Sequence, residues 1–493
     1  MTGEQKGRIS ELGRTARAAH AGYLRWQNRY IPDSLLLVLI AVVLGVLTGI
    51  SAAALKRLIR MINDSILAGV HLDRPNIRYL IWPLAGILLT SIYQRYVVRG
   101  NIGSGTRVIR QAIDSRQFRL SPFTIFNPVI GCSLTIGCGA SGGSEGPTAL
   151  SGAAIGSCVG RWFGLSEAWL RLLVAIGGGA GIAAIFKSPV GGVLFTLEVL
   201  QMEMTSLPVI ALFIACILSS TTAYMLSDFT FDIHFIQYMP VETRTLGWVA
   251  LLGLFCGLYS IYYNVTKNKT ARWFSSIRNP WAGALVTGGL LSACVFLFPL
   301  LYGEGFGLIT SLVNGEDVSF TASGLFAARH TPMWMFISIV AILLLKGVLV
   351  SASYSRGGVA GDFVPTFFAG ALAGYLFAMV CNRWLSADIP PWYFSLIGMG
   401  AVMAGTIHAP LMAIFVLCET TNTYGYILPY LIAVSISYAT VKIITPRSWY
   451  AELGHDDVMA LMAARQTPIL RSSLGRPNGQ KRKKNDIGSN TTV

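Results

Sequence analysis

Apolar runs recur along almost the whole chain, and this feature restricts the possible folds more than any other. The longest runs can cross the hydrocarbon core of a bilayer, which is about 30 Å thick. Only 12% of the residues are charged, about half the share that is usual in soluble proteins. We therefore expect an all-α polytopic membrane protein. The predicted spans are roughly 33–58, 78–98, 206–226, 246–265, 281–301, 334–353 and 424–444.

Shorter apolar pieces, interrupted by glycine, lie between these spans, and many are too short to cross a bilayer. Such pieces are typical of discontinuous helices, which bind ions near the middle of the membrane. We expect a cytoplasmic amphipathic segment at 1–30, a transmembrane domain at 31–455 and a basic, largely disordered cytoplasmic tail at 456–493. The short pieces are 122–140, 145–161, 171–186, 189–204, 362–381, 392–407 and 409–421.

The formal charge of +15 is concentrated at the two chain ends and between the apolar runs. By the positive-inside rule, both termini are expected in the cytoplasm. The lack of an appended regulatory domain leads us to expect a bacterial inner membrane. This placement predicts contact with lipid headgroups and argues against a nucleic-acid partner. The eight cysteines form no CxxC pair, so we interpret them as small core residues.

An internal repeat indicates a duplicated fold. The sequence of Pro147–Gly156 matches that of Pro365–Gly374, and Ile176–Glu198 matches Ile397–Glu419 without a gap. A duplicated membrane fold with interrupted helices in corresponding places predicts a binding site between the halves, near mid-membrane. The match by itself leaves open whether the halves are parallel or inverted. The halves cover about 80–230 and 280–444.

Three glycine-rich segments are candidates for that site: Gly103–Arg107, Gly142–Pro147 and Gly358–Pro365. Glycine lets the backbone approach a small ion closely. A helix that begins after such a segment presents unpaired N–H groups and the positive end of its dipole. Several such helix starts would bind an anion without a full positive charge. The alternative is that these are ordinary packing glycines and helix starts.

Glu145 is a carboxylate within one of these segments, and an ionisable residue inside a membrane is a functional candidate. Its charged form resembles a bound anion and would occupy the site that the N–H groups form. Protonation would release it, so that one residue would act as gate and proton acceptor. A purely structural role, in which the side chain caps the helix start, is the alternative.

The segments resemble the CLC family of chloride channels and chloride/proton antiporters. The usual patterns of that family are GSGIP, G(K/R)EGP and GxFxP, with a tyrosine near the end of the membrane domain. The corresponding residues here are Gly103–Arg107 (GSGTR), Gly143–Pro147 (GSEGP), Gly361–Pro365 (GDFVP) and Tyr450. The resemblance extends in order over roughly residues 30–455.

The resemblance implies an inverted-repeat, homodimeric fold in which each subunit has its own pore. It implies that chloride or a similar small anion is transported, that Glu145 is the external gate and takes up protons, and that Ser104 suits chloride. It implies no metal and no cofactor other than bound chloride. The residues that it assigns to the anion site are Ser104 and Tyr450 through their hydroxyl groups, Asp362 and Phe363 through their backbone N–H groups, and Gly146 and Val364 beside them.

The chain departs from the family pattern at two places. Thr106 and Arg107 replace Ile-Pro, which is expected to loosen the helix start and to bring a cation near the inner filter. Val199 stands where proton-coupled members have an internal glutamate, and an apolar residue cannot relay a proton. We therefore expect passive, channel-like chloride conduction gated by Glu145. The alternative is a chloride/proton antiporter that uses Glu203, one helical turn beyond Val199, as its inner proton acceptor.

The other ionisable residues of the repeat are expected to be structural. Glu198 and Glu419 are repeat-related, and we expect them to accept hydrogen bonds from nearby helix ends. His408 is interpreted as a packing or hydrogen-bonded residue. An intramembrane enzyme is not expected, because the sequence has no HExxH pattern and Val359–Asp362 lacks the first glycine of GxGD.

Overall fold

The computed structural model describes most of the predicted transmembrane domain and shows it to be helical. The predicted N-terminal segment, apart from Gln27 and Tyr30, and the predicted tail lie outside the described residues. Gly103 and Tyr450 lie outside them as well. The described residues are Gln27, 30–68, 76–102, 104–227, 233, 235–237, 240, 242–316 and 332–445.

The helices follow one another through short connections. In the first half of the described chain they are α1 (Asp33–Leu67), α2 (Arg78–Ile92), α3 (Gly105–Asp114), α4 (Asn127–Gly137), α5 (Glu145–Trp162), α6 (Glu167–Phe186), α7 (Pro189–Leu194) and α8 (Ser206–Leu226). In the second half they are α9 (Thr243–Ser276), α10 (Pro280–Leu297), α11 (Phe306–Val313), α12 (Pro332–Ser355), α13 (Phe363–Leu385), α14 (Pro391–Ile407), α15 (Pro410–Thr421) and α16 (Ile427–Ile444). Single π-helical turns, Tyr93–Val98 and Phe195–Val199, extend α2 and α7.

Eight of the described helices are long and apolar enough to cross a membrane, by length and composition. Two of them, α6 and α13, cover segments that the sequence placed among the shorter pieces. Both are longer than their apolar cores because each includes polar or charged residues at its ends, as at Glu167. The helices α1 and α9 also extend beyond the predicted spans at their polar C-terminal ends.

The first helix shows which surface faces lipid. Leu37, Ile40 and Leu44 are buried on one face of α1, whereas Leu35 and Leu39 are about half exposed on the other. An apolar side chain is stable on the outside of a protein when the surrounding solvent is hydrocarbon. The exposed apolar face of α1 is therefore the lipid-facing one.

Glycine contacts give the two halves the same internal packing. In the first half, a Cβ on Gly152 would collide with the carbonyl of Gly177, which joins α5 to α6. In the second, a Cβ on Gly370 would collide with the carbonyl of Gly398, which joins α13 to α14. These glycines occupy equivalent positions of the repeat, so each half has the same closely packed helix pair.

The halves meet where the glycine-rich segments pair. Gly143 and Gly361 are repeat-equivalent and form an isolated antiparallel bridge. The Gly143 N–H donates to the Gly361 carbonyl at 3.1 Å, and the Gly361 N–H returns the bond at 2.6 Å. Antiparallel pairing of equivalent residues places an approximate two-fold axis between the halves. The repeat is therefore inverted, and the starts of α5 and α13 lie side by side at its centre.

Candidate anion site and gate

The three glycine-rich segments converge on Gly146, in the first turn of α5. A Cβ built on Gly146 would lie 3.5 Å from the backbone nitrogen of Gly105, 3.5 Å from the Cα of Gly361 and 3.8 Å from the nitrogen of Thr106. The starts of α3, α5 and α13 are therefore adjacent, as the sequence predicted. Their backbone N–H groups and dipoles form the anion-binding arrangement expected of converging helix starts.

The Glu145 side chain lies in this arrangement and is fully buried. Its Oε1 accepts a hydrogen bond from the Phe363 N–H, one of the amides that the sequence assigned to the anion. Its Oε2 is buried without a hydrogen-bond partner. The carboxylate thus occupies an amide donor that an anion would use. A purely local cap would bond only its own helix, whereas this carboxylate also bonds the start of α13 in the other half.

Glycine is required on both sides of this carboxylate. A Cβ on Gly143 would collide with both carboxylate oxygens, and a Cβ on Gly361 would collide with Oε1. These two glycines are the residues that pair across the approximate two-fold axis. The backbone pairing and the place of the gate side chain therefore depend on the same two positions.

A second acid holds the start of α5 from the side of α1 and α11. Glu304 Oε1 accepts hydrogen bonds from the Ser144 hydroxyl at 2.5 Å and from the Ser144 N–H at 3.2 Å. Glu304 Oε2 forms an ion pair with Lys56 at 2.7 Å. Glu304 also lines a cavity of about 400 Å³. Ser144, the residue before the gate, is thus anchored by a charge-assisted contact.

A third carboxylate, Asp362, precedes the amide that binds Glu145. Its Oδ2 forms an ion pair with Lys267 Nζ of α9 at 2.9 Å, and both side chains are almost entirely buried. The sequence assigned Asp362 to the anion site through its backbone N–H and did not predict this partner. Phe363 and Val364 follow it in the buried first turn of α13. The Phe363 ring packs edge-on against Phe195 at a centroid distance of 5.9 Å.

The first glycine-rich segment keeps its helix start despite the departure from Ile-Pro. Ser104 has extended backbone angles and is the N-cap of α3, and its carbonyl accepts the first helical bond from the Val108 N–H at 3.2 Å. The helix α3 begins at Gly105, and the expected loosening of its start stays a prediction. Thr106 is buried and Arg107 is partly buried. The anion role of the Ser104 and Tyr450 hydroxyls stays a prediction, since Tyr450 lies outside the described residues.

A basic cavity of about 410 Å³ lies next to this segment. Asn101 lines it together with Arg95, Arg99 and Arg356. The Arg356 guanidinium is held by the carbonyl of Phe274 at 2.9 Å. A cavity lined by one sign of charge concentrates counter-ions, so this cavity favours small anions.

The expected helical relation between Val199 and Glu203 is wrong. The helix ends at Val199, Gln201 has a left-handed φ of 54°, and residues 201–205 are not helical. Arg110 of α3 stabilises this ending by donating to the Val199 carbonyl at 3.2 Å and to the Gln201 side chain at 2.7 Å. Val199 is buried and Glu203 is exposed. The geometric reason for assigning Glu203 an inner proton role is therefore lost.

The repeat-related acids Glu198 and Glu419 each accept hydrogen bonds from a helix start of the other half, as expected. Glu198 accepts from the N–H groups of Leu411 at 3.2 Å and Met412 at 2.8 Å, at the start of α15. Glu419 accepts from the N–H groups at the start of α7, and from the Ser188 hydroxyl. Each half thus caps a helix of the other half.

His408 packs edge-on against Tyr438 at a centroid distance of 6.1 Å. It adopts a left-handed φ of 63°, as does its repeat counterpart Lys187 with 55°. Both residues end a helix just before a proline that starts the next one. This contact agrees with the packing role expected for His408, whereas both of its ring nitrogens are buried without a hydrogen-bond partner.

Sequence reasoning missed Lys267, Lys56 and Glu304. Lys267 lies among polar residues near the C-terminal end of α9, between Thr266 and Asn268, so the sequence gives no signal that it is buried with an ion-pair partner. Nothing in the sequence identifies that partner, because Lys267 and Asp362 are 95 residues apart.

Comparison with known proteins agrees with this geometry. The sequence profile of the voltage-gated chloride channel family matches residues 85–442, which is more than half of the chain. The chain belongs to the CLC family. Its fold is similar to that of a slow cyanobacterial Cl⁻/H⁺ antiporter, with a TM-score of 0.72 and 23% sequence identity over 87% of this chain and 98% of that one.

Two relatives illustrate the range of names within this family. An H⁺/Cl⁻ exchange transporter, ClcA of Vibrio cholerae, is 29% identical over 366 residues, covering 72% of this chain and 74% of the relative. A protein of Ralstonia nicotianae, whose name describes it as ClcB-like and as a chloride channel protein, is 29% identical over 398 residues, covering 78% of this chain and 88% of the relative.

Proposed function

We propose that this protein exchanges chloride for protons across a membrane and that Glu145 is the group that both ions use. The observation that carries the proposal is the hydrogen bond from the Phe363 N–H to the Glu145 carboxylate. The same amide is a predicted chloride donor, so carboxylate and chloride compete for it. The exchange transporter of Vibrio cholerae and the fold shared with an antiporter support the coupled reading.

The competition gives a simple exchange cycle. Protonation neutralises Glu145 and removes its attraction to the N–H groups at the helix starts, so chloride enters in its place. Loss of the proton restores the negative charge, and the carboxylate returns to the Phe363 N–H as chloride leaves. Each cycle of protonation and deprotonation of Glu145 thus moves a proton in one direction and permits chloride movement in the other.

The donors suit a transported anion because they are neutral. Backbone N–H groups and helix dipoles attract chloride, yet they bind it less tightly than a lysine or arginine in the pore would. The cations near the site are already engaged: Lys267 pairs with Asp362, and Lys56 pairs with Glu304. Chloride can therefore leave as well as enter.

Passive conduction is the second candidate, and Val199 is the observation that favours it. This buried side chain carries no proton at the position where coupled members have a glutamate. The name of the Ralstonia relative agrees with it. If protons reached Glu145 from one side only, the cycle would reduce to a pH-dependent chloride gate.

Flux in liposomes separates the two candidates. A chloride gradient imposed on vesicles that contain the purified protein should drive protons against their own gradient. Glu145→Gln, which cannot be deprotonated, should conduct chloride without moving protons. Glu203→Gln is the matched control, and it should leave both fluxes as in the parent because this acid is exposed and not helical. Chloride flux in the parent without any proton movement would leave passive conduction as the function.

Both termini are expected in the cytoplasm of a bacterium, in keeping with the bacterial relatives and with the basic residues at the chain ends. This orientation can be tested with a single cysteine introduced near each end of the chain. A thiol reagent that does not cross the membrane should label it in permeabilised cells and not in intact cells. Reaction of either end in intact cells would contradict it. The homodimer implied by the family stays a prediction.

A further inference from the structure

The basic cavity of about 410 Å³ lies where four segments of the chain meet. Its walls come from the π-helical turn that ends α2, the first two residues of α10, the residues that follow α12, and the chain just before the first glycine-rich segment. Its volume is within the range of about 300–1,000 Å³ that is usual for small-molecule sites. The cavity is therefore large enough for a ligand with several heavy atoms.

Three guanidinium groups line this cavity. Arg95 and Arg99 belong to the end of α2, and Arg356 follows α12. None of the described carboxylates lines the cavity or forms an ion pair with any of the three. Three positive charges without a neighbouring negative charge attract an anionic ligand.

Two of the guanidinium groups are already held in place. Arg356 Nε donates to the Phe274 carbonyl at 2.9 Å, and its Nη2 donates to the Ser275 carbonyl, both at the end of α9. The Arg95 guanidinium lies over the Trp281 ring, 5.7 Å from the ring centroid. A side chain that is oriented before binding loses less conformational freedom when a ligand arrives.

Backbone contacts fix the shape of the cavity. Arg99 has a left-handed φ of 56°, and Gly357 has a φ of 87°. A Cβ on Gly357 would collide with the Ser91 hydroxyl of α2. The Gln94 side-chain amide donates to the Gly357 carbonyl at 3.2 Å. The end of α2 and the segment after α12 are thus joined directly, and the arginines lie on both.

The cavity adjoins the lipid-facing surface. Tyr96 and Val97 lie between the two arginines of α2 and are 63% and 66% exposed. Exposed apolar and aromatic side chains at a helix end are typical of the boundary between hydrocarbon and headgroups. The neighbouring end of α9 carries Lys269 and Arg272, so the positive-inside rule places this boundary on the cytoplasmic side. Anionic lipids give the cytoplasmic leaflet its negative surface potential.

We propose that this cavity binds the phosphate headgroup of an anionic phospholipid from the cytoplasmic leaflet. Guanidinium groups donate paired hydrogen bonds that match the geometry of phosphate oxygens. Basic pockets between transmembrane helices on the cytoplasmic side are suited to such headgroups. The acyl chains extend over the exposed side chains of Tyr96 and Val97. The inference does not rest on the proposed exchange function, because the ligand binds apart from Glu145.

Two soluble anions compete as occupants of the same cavity. Free phosphate offers the same oxygen atoms, and chloride has the same sign of charge. The lipid differs from both because its acyl chains add apolar contacts that a soluble anion lacks. Competition between the lipid and each anion therefore identifies the occupant.

The test measures lipid bound to the full-length protein in detergent by native mass spectrometry. The protein is titrated with phosphatidylglycerol, which carries a net negative charge, and separately with phosphatidylcholine, which carries none. We expect phosphatidylglycerol to bind more tightly. Equal affinity for the two lipids would overturn the proposal, because the three arginines would then make no contribution.

A pair of variants assigns the binding to the cavity. Arg95→Gln/Arg99→Gln removes two exposed arginines, and we expect it to bind phosphatidylglycerol about thirtyfold more weakly. Arg116→Gln/Arg171→Gln is the matched control, since it removes two exposed arginines that do not line the cavity. It should keep the affinity of the parent. An equal loss in both variants would show unspecific attraction to a basic protein and would overturn the site.

Inorganic phosphate and chloride, each added at constant ionic strength to the phosphatidylglycerol complex, complete the test. We expect neither to displace the lipid at concentrations similar to that of the lipid. Displacement by phosphate would assign the cavity to a soluble phosphate ligand, and displacement by chloride would assign it to the transported ion. Either result would overturn the lipid proposal. All of these experiments measure bound lipid, so they leave the proposed exchange function to its own flux test.

Discussion

The starts of α5 and α13 are equivalent in the repeat, yet they carry different charges. Gly143 and Gly361 pair across the approximate two-fold axis, and the residues after them occupy matching places. On one side Ser144 binds Glu304, and Glu145 follows. On the other side Asp362 binds Lys267, and Phe363 follows.

The difference shows how a symmetric scaffold produces an asymmetric site. The backbone supplies N–H donors from both halves, whereas only the first half supplies a carboxylate that bonds one of them. That carboxylate binds the amide of its own repeat counterpart, Phe363. The symmetry thus supplies the paired helix starts of the proposed anion site, and the difference between Glu145 and Phe363 supplies the proposed gate.

The largest expected effect, on the pH dependence of chloride flux, comes from filling the space that Gly143 and Gly361 leave for the Glu145 carboxylate. Gly143→Ala and Gly361→Ala each place a methyl group where the Glu145 carboxylate lies. The carboxylate should leave the Phe363 N–H in either variant. Chloride flux in the parent should change by up to about tenfold per pH unit while one group titrates. In both variants the flux should be independent of pH.

Gly289→Ala on α10 is the control for these variants, because a Cβ there meets no atom within 4 Å. It should keep the pH dependence of the parent. If Gly361→Ala kept that dependence too, the carboxylate would not be the gate in the position described.

A smaller effect should distinguish the two exchanged caps. Glu419 accepts three hydrogen bonds and Glu198 accepts two. Hydrogen bonds to charged groups contribute about 1.5–3 kcal/mol, and a lost cap leaves N–H groups unpaired. We expect Glu419→Ala to lower the free energy of unfolding by about 3 kcal/mol and Glu198→Ala by about 2 kcal/mol. Unfolding of the purified protein in detergent measures both, and equal losses would contradict the asymmetry.

The smallest effect, on the free energy of unfolding, should come from Ser188, which gives Glu419 one more hydrogen bond than Glu198 accepts. Ser188 donates to Glu419, whereas its repeat counterpart is Ala409. Ser188→Ala should cost about 1 kcal/mol in the parent and much less in a Glu419→Ala background, because the two side chains are coupled. A cost that stayed the same in both backgrounds would show that the hydroxyl acts on something other than Glu419.

Local patterns predicted the parts of this protein that depend on neighbouring residues in the chain. The apolar runs gave the membrane class, the glycine-rich segments gave the helix starts, and the repeat gave the duplication. Glu145 could be singled out because an ionisable residue inside a membrane is a functional candidate, and Asp362 shares that feature. The helical relation of Glu203 to Val199 failed because Arg110, 89 residues away from Val199, holds the turn that ends the helix.

The sequence by itself determined that the chain lies in a membrane, that it is duplicated and that two acids, Glu145 and Asp362, stand in its glycine-rich segments. Only the tertiary structure decided which charges meet: Glu145 with the Phe363 amide, Asp362 with Lys267, and Glu304 with Lys56. The physical reason is that hydropathy and helix-start signals act over a few residues. A buried charge, by contrast, is stabilised by whichever partner the packing of distant helices brings within about 3 Å.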